Sequence, residues 1–218
     1  MKKFIPLFFL AVSFAYIESA VVVYLRELYY PEGFKFPLKL IPSNIGLIEV
    51  GREAATLAMI ITIGLVAGKT RWQKVSYSIF VFGIWDIFYY IWLKVFLNWP
   101  DSLLTWDILF LIPVPWIAPV LAPITVAITI FIASMIVVYL SDKGRAPLAG
   151  KKDVAFIIIG AIIILISFIL DFKLATNGGI PDNYHWELLV AGELIGLWAF
   201  INIIKRDKNL NYQTPIIK

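Results

Sequence analysis

The chain has 218 residues and a mass of 24.7 kDa; 61% of it is hydrophobic and 16% charged, with mean hydropathy +0.85, 19 Lys and Arg against 15 Asp and Glu, and a pI near 9.2. Soluble domains carry roughly 25% charged and roughly 45–50% apolar residues, so a soluble enzyme, a disordered chain, a collagen and a disulfide-stapled secreted module are excluded. With no cysteine and only His185 for a histidine, the chain has no thiolate metal site, no iron–sulfur cluster and no haem held by two histidines.

A membrane-crossing helix needs ~20 apolar residues. Six stretches meet that length: Phe4–Tyr24, Ile45–Val66, Val75–Leu97, Ile117–Leu140, Val154–Phe172 and Trp186–Ile204. The first follows Lys2 and Lys3 and passes small residues at Ala15 and Ala20, the outline of a signal peptide. The apolar run continues through Val21, Val22 and Val23 to the length of a full span, which predicts an uncleaved first helix. Between the third and fourth spans, Leu103–Ile112 is too short to cross and runs into Pro113, Pro115, Pro119 and Pro123. Proline removes backbone donors, so this piece reads as a short broken or re-entrant helix, at about 103–112, on the outer side. The predicted fold is therefore all-α, a polytopic integral membrane protein forming one domain over 1–218. Spans one to three share no motif with spans four to six, so no inverted repeat is expected.

The basic residues give an orientation. Lys2 and Lys3, Lys69, Arg71 and Lys74, Lys143, Arg145, Lys151 and Lys152, and Lys205, Arg206, Lys208 and Lys218 fall at one end of a six-span bundle, 13 of the 19 Lys and Arg. The positive-inside rule places that end, with both termini, in the cytoplasm of a cell membrane. The same asymmetry accounts for the +4 net charge without a nucleic-acid partner. Trp72, Trp92, Trp99, Trp106, Trp186 and several tyrosines near span ends read as an interfacial aromatic belt in contact with membrane lipids.

Ionisable residues inside a membrane are costly, so each is a functional candidate. Glu18, Glu49, Arg52, Glu53, Asp86 and Glu193 all fall in the outer half, ~6–16 Å below the outer surface at 1.5 Å per helical residue. The cytoplasmic half of the spans carries no acid. Glu49, Arg52 and Glu53 share one face at i, i+3 and i+4, and Asp86, Tyr90 and Lys94 form a second stripe. Asp107 sits just above. Glu193 lies between Gly192 and Gly196, a spacing that lets another helix approach closely. The expectation is one outward-facing, carboxylate-lined cavity with Glu18, Glu49, Arg52, Glu53, Asp86, Tyr90, Asp107 and Glu193 as its ligand-binding residues.

Carboxylates outnumber cations there, so the site invites a cation or polar ligand, as in a small transporter or accessory membrane subunit. A divalent cation held by oxygen atoms of Glu18, Glu53, Asp86 and Glu193 is one form of this, with His185 and Glu187 as a secondary pair. One alternative is a membrane enzyme acting on a lipid or isoprenoid through carboxyl acid–base chemistry. Another is a structural subunit whose acids meet cations of a partner subunit or of a second copy. No phosphate-binding loop, nucleophile elbow or His-Glu-x-x-His motif is present.

Overall fold

The computed structural model describes residues 2–38, 42–145, 149–179 and 181–213, the last seven of these as backbone alone. Lys218, counted above among the basic residues, lies outside the described residues. The elements are α1 (Phe4–Tyr29), α2 (Ser43–Ala67), α3 (Arg71–Leu97), β1 (Trp106–Phe110), β2 (Trp116–Pro119), α4 (Leu121–Asp142), α5 (Lys151–Ile169), α6 (Phe172–Thr176) and α7 (Trp186–Gln213). Six helices are long and apolar enough to cross a membrane.

Large apolar side chains face outward along every one of these six helices, among them Phe9, Val66, Val95, Ile132, Ile158 and Leu194. A soluble helix shows one apolar stripe and a polar opposite face; helices apolar all round suit lipid. The ends follow local chemistry. Thr70 caps α3 by accepting a hydrogen bond from the Gln73 N–H at 3.2 Å, and Asn98 ends it at φ 52°, a left-handed position that asparagine tolerates. The Asp153 carboxylate accepts from the Gly150 N–H at 2.8 Å at the start of α5 and from Arg206 Nη1 at 2.8 Å, tying α5 to α7.

The segment expected as a short broken helix is instead a two-stranded antiparallel hairpin, β1 with β2, pairing Trp106 with Pro119, Asp107 with Ala118, Ile108 with Ile117, and Phe110 with Trp116. Its residues explain the correction. The four prolines cannot supply the N–H groups a helix would need, while the aromatic and β-branched residues between them fit a pleated surface. Two of the prolines, Pro113 and Pro115, fall in the turn. β2 then consumes the start of the expected fourth span, so α4 begins at Leu121. Ile117 and Ala118 are fully buried, so this irregular backbone sits inside protein.

Helix α3 packs on α1, α2 and α4, and α5 packs along α7; the pair meets the remaining helices through β2 and, more lightly, α4. The largest core lies between α1, α3 and α4 toward the basic end and includes Leu7, Ala11, Ala15, Phe80, Val81 and Ile84. It fills the bundle below the acidic residues.

Candidate functional site

The polar residues of α1, α2, α3 and β1 meet at the hairpin end of the bundle, around a cavity of about 130 Å³. Arg52 organises one side. Its guanidinium pairs with Glu18 of α1 and, through Nε at 2.9 Å, with Glu49 one turn earlier on its own helix. The Thr56 hydroxyl donates to the other oxygen of Glu18, which is 3% exposed. Burial of two carboxylates beside one guanidinium is sustained here by crossed ion pairs, the arrangement that offsets their desolvation.

Glu53 shares the face but engages a different element. Its Oε2 accepts the Leu111 N–H at 2.8 Å, fastening the end of β1 to α2. Sequence spacing alone groups Glu53 with Arg52; the hairpin that claims it is invisible to spacing.

Arg26, near the end of α1, is a cavity residue that sequence reasoning missed. It is 7% exposed, donates to Asp107 Oδ1 at 3.0 Å, and is held between the Phe34 and Trp99 rings, 4.3 and 3.8 Å from their centroids. Such cation–π contacts grow stronger once desolvated. The signal was present in the helix period: Arg26 is eight residues after Glu18, on the same face. It lay beyond the expected span end at Tyr24, whereas α1 continues to Tyr29.

Asp107 lies on the hairpin, outside the six long helices, and is 1% exposed. The Tyr90 hydroxyl and the Ile108 N–H approach its carboxyl, yet among the described residues no donor meets Oδ2 at full hydrogen-bond geometry, and Arg26 Nη1 and Trp85 Nε1 are likewise without acceptors. Burial pushes the Asp107 carboxyl up from its ordinary 3.8 to about 6, against the pull of the Arg26 guanidinium. The unfolded chain titrates near the ordinary value, so the folded form holds this proton more tightly. That contribution to stability is complete below about pH 3.8 and is lost as pH rises through about 6. Measured against Asp107→Asn, the melting temperature of the native protein should climb as pH falls from about 7 to about 5; parallel curves for the two proteins would show an ordinary carboxyl.

Asp86 of α3 lines the cavity between Trp85 and Tyr89, within electrostatic reach of Asp107, and makes no hydrogen bond or ion pair among the described residues. Tyr90, buried, completes this wall. Lys94, on the same stripe, turns away to the Asn98 and Pro100 carbonyls at 3.1 and 2.9 Å.

The remaining candidates stand elsewhere. Glu193 does not line the cavity; its carboxyl takes a hydrogen bond from Thr129 of α4, and its Oε1 is buried without a partner among the described residues. His185 sits between Glu187, at 3.3 Å from Nδ1, and Asp171, at 3.8 Å from Nε2, in a half-open loop before α7. Among the described residues, no three histidine, aspartate or glutamate side chains converge as a metal-holding group.

The helices and the cavity together define a class: an all-helical bundle of membrane-crossing proportions with a buried acidic cavity at one end, closed by a hairpin. Comparison with protein-family models, curated proteins and solved structures finds no match for this chain.

Proposed function

We propose that this is an integral membrane protein that binds a cation or polar ligand in the cavity at the hairpin end, as a small transporter or accessory subunit, with that end facing outward and both termini in the cytoplasm. The observation that carries the reading is the charge inventory. Glu18, Glu49, Glu53, Asp86 and Asp107 line the cavity against Arg26 and Arg52. Among the described residues Arg52 forms ion pairs with two acids and Arg26 with one, Glu53 is bonded to a backbone N–H and feels Arg52 only through space, and Asp86 has no hydrogen bond or ion pair. Uncompensated carboxylates at such depth are costly, and an incoming cation relieves that cost. The packed core beneath the site supports a pocket rather than an open pore.

The absence of cysteine allows a direct test. Val22, on the cavity wall, is replaced by cysteine, which keeps every charge in place, and cells are treated with membrane-impermeant methanethiosulfonates. The ammonium reagent should modify Val22→Cys from outside about tenfold faster than the sulfonate reagent, since like charges repel in a low-dielectric site. Exposed controls Asp101→Cys and Lys69→Cys should react from outside and only after permeabilisation, respectively. Equal rates with the two reagents would refute the cation preference, and reversed controls would refute the orientation.

A further inference from the structure

We infer that the occupant of this cavity is a small organic primary ammonium compound that also carries an oxygen acceptor, bound by Asp86 and Asp107 within an aromatic wall; the inference rests on the cation reading above. Four independent features of the cavity narrow the ligand to this class.

The first is the set of polar atoms without partners. Asp86 presents an unengaged carboxylate, and Asp107, which the Tyr90 hydroxyl and Ile108 N–H also approach, keeps a buried Oδ2 that no donor among the described residues reaches at full hydrogen-bond geometry. A primary ammonium has three N–H donors and no acceptor, so one group can serve both oxygens. Arg26 Nη1 and Trp85 Nε1 are donors lacking acceptors among the described residues, which calls for an oxygen elsewhere on the same ligand. Buried polar groups left unpaired are rare and costly, and this set is satisfied together by one molecule bearing both functions.

The second is the wall. Trp85 stacks with Tyr89, at 6.2 Å between centroids, and meets the Phe110 edge at 6.3 Å, while Tyr89 and Tyr90 pack at 5.0 Å. Aromatic faces attract organic cations through their quadrupole and offer a metal ion no ligand.

The third is the spread of the acids. Glu18 and Glu49 are committed to Arg52 and Glu53 to the hairpin, so the carboxylates do not converge as an oxygen cage for a divalent ion, in keeping with the lack of any such group among the described residues.

The fourth is size. An apolar cavity of about 150 Å³ accommodates benzene, with six heavy atoms. At about 130 Å³ the present cavity matches a compound of about five non-hydrogen atoms. That is the size of a short amino alcohol or amino acid, and a phospholipid headgroup with its phosphate would have to project from the mouth of the cavity.

The test is isothermal titration of the purified full chain with 2-aminoethanol, with ethylene glycol as a neutral match of equal length, and with magnesium chloride. Saturable binding of 2-aminoethanol is expected, with none for ethylene glycol. Asp86→Asn should weaken it by about tenfold or more, the loss expected for a hydrogen bond to a charged group. Glu32→Gln, an exposed acid at the same end, should leave it unchanged. Should Asp86→Asn fold poorly, the same question is read in the Val22→Cys protein, where 2-aminoethanol should slow modification of the cysteine and ethylene glycol should not. Magnesium binding that depends on Asp86, without 2-aminoethanol binding, would overturn the ammonium inference and leave the cation reading standing. Binding of ethylene glycol as strong as that of 2-aminoethanol would overturn the role of charge. Binding of none of the three, with no protection of the cysteine, would overturn both readings.

Discussion

Replacing Arg52 with alanine is expected to prevent stable folding in detergent. The guanidinium holds Glu18 of α1 and Glu49 of α2 at once, and both acids are buried. Arginine cannot relieve burial by losing its proton, and once it is removed two carboxylates face each other without a cation. Removing one partner of a buried pair costs about 3–5 kcal/mol, against a total stability of about 5–15 kcal/mol. The second-site test discriminates between partners. Glu18→Gln in the Arg52→Ala background should recover a large part of the lost melting temperature, because the amide still accepts from Thr56 and carries no charge. Glu53→Gln should recover less, since Glu53 is bonded to the Leu111 N–H and feels Arg52 only through space. Equal rescue by both would show that only the total charge matters and that the Arg52–Glu18 link is not specific.

Adding one methyl group at Gly192 is expected to separate α5 from α7, while the same change at Gly196 is expected to be harmless. A Cβ at Gly192 would stand 2.7 Å from the Gly160 carbonyl oxygen, and a Cβ at Gly160 would stand 2.7 Å from the Gly192 oxygen. Backbone opposes backbone at this crossing, so neither helix can yield without moving as a whole. Overpacking of this kind costs about 1–3 kcal/mol. At Gly196 a Cβ meets nothing within 4 Å, and alanine is the better helix former by up to about 1 kcal/mol. Gly192→Ala should therefore lower the melting temperature clearly, and Gly196→Ala should leave it level or raise it. A similar loss at both positions would mean that the crossing is centred elsewhere.

The contrast between these two glycines shows what the sequence carries and what it withholds. Gly192 and Gly196 announce a close helix contact, and α7 does run tightly along a neighbour. The pattern cannot say that the partner glycine is Gly160, because that pairing is settled across the bundle. The six long helices were legible for the same local reason: each is a run of apolar residues long enough to register against any background. The hairpin was not legible. A short apolar stretch with prolines satisfies a broken helix and a strand pair equally well until the neighbours of Asp107 and Leu111 are known, and those neighbours are Arg26 and Glu53. Asp86, Glu18 and Arg52 were visible as charges in apolar surroundings, whereas Glu193, visible by the same rule, belongs to the contact of α7 with α4. Depth places an acid along a helix axis, and only packing decides the direction in which it looks.

Every side chain lining the cavity lies between Glu18 and Leu111, so the ribosome releases the whole acidic assembly before α5 and α7 exist. For a chain handed to the bilayer in order of synthesis, this sets a sequence of charge cancellation. A lone arginine at the centre of an inserting helix costs about 2.5–3.5 kcal/mol. Arg52 arrives one helix after Glu18 and one turn after Glu49, so α1 and α2 can leave the translocon as a pair whose charges already cancel. Arg26, near the end of α1, meets its partner only after β1 has been made, since that partner is Asp107. Asp86 completes its journey with no ion pair or hydrogen bond among the described residues, and the charge left unanswered by biogenesis coincides with the position where a ligand is proposed.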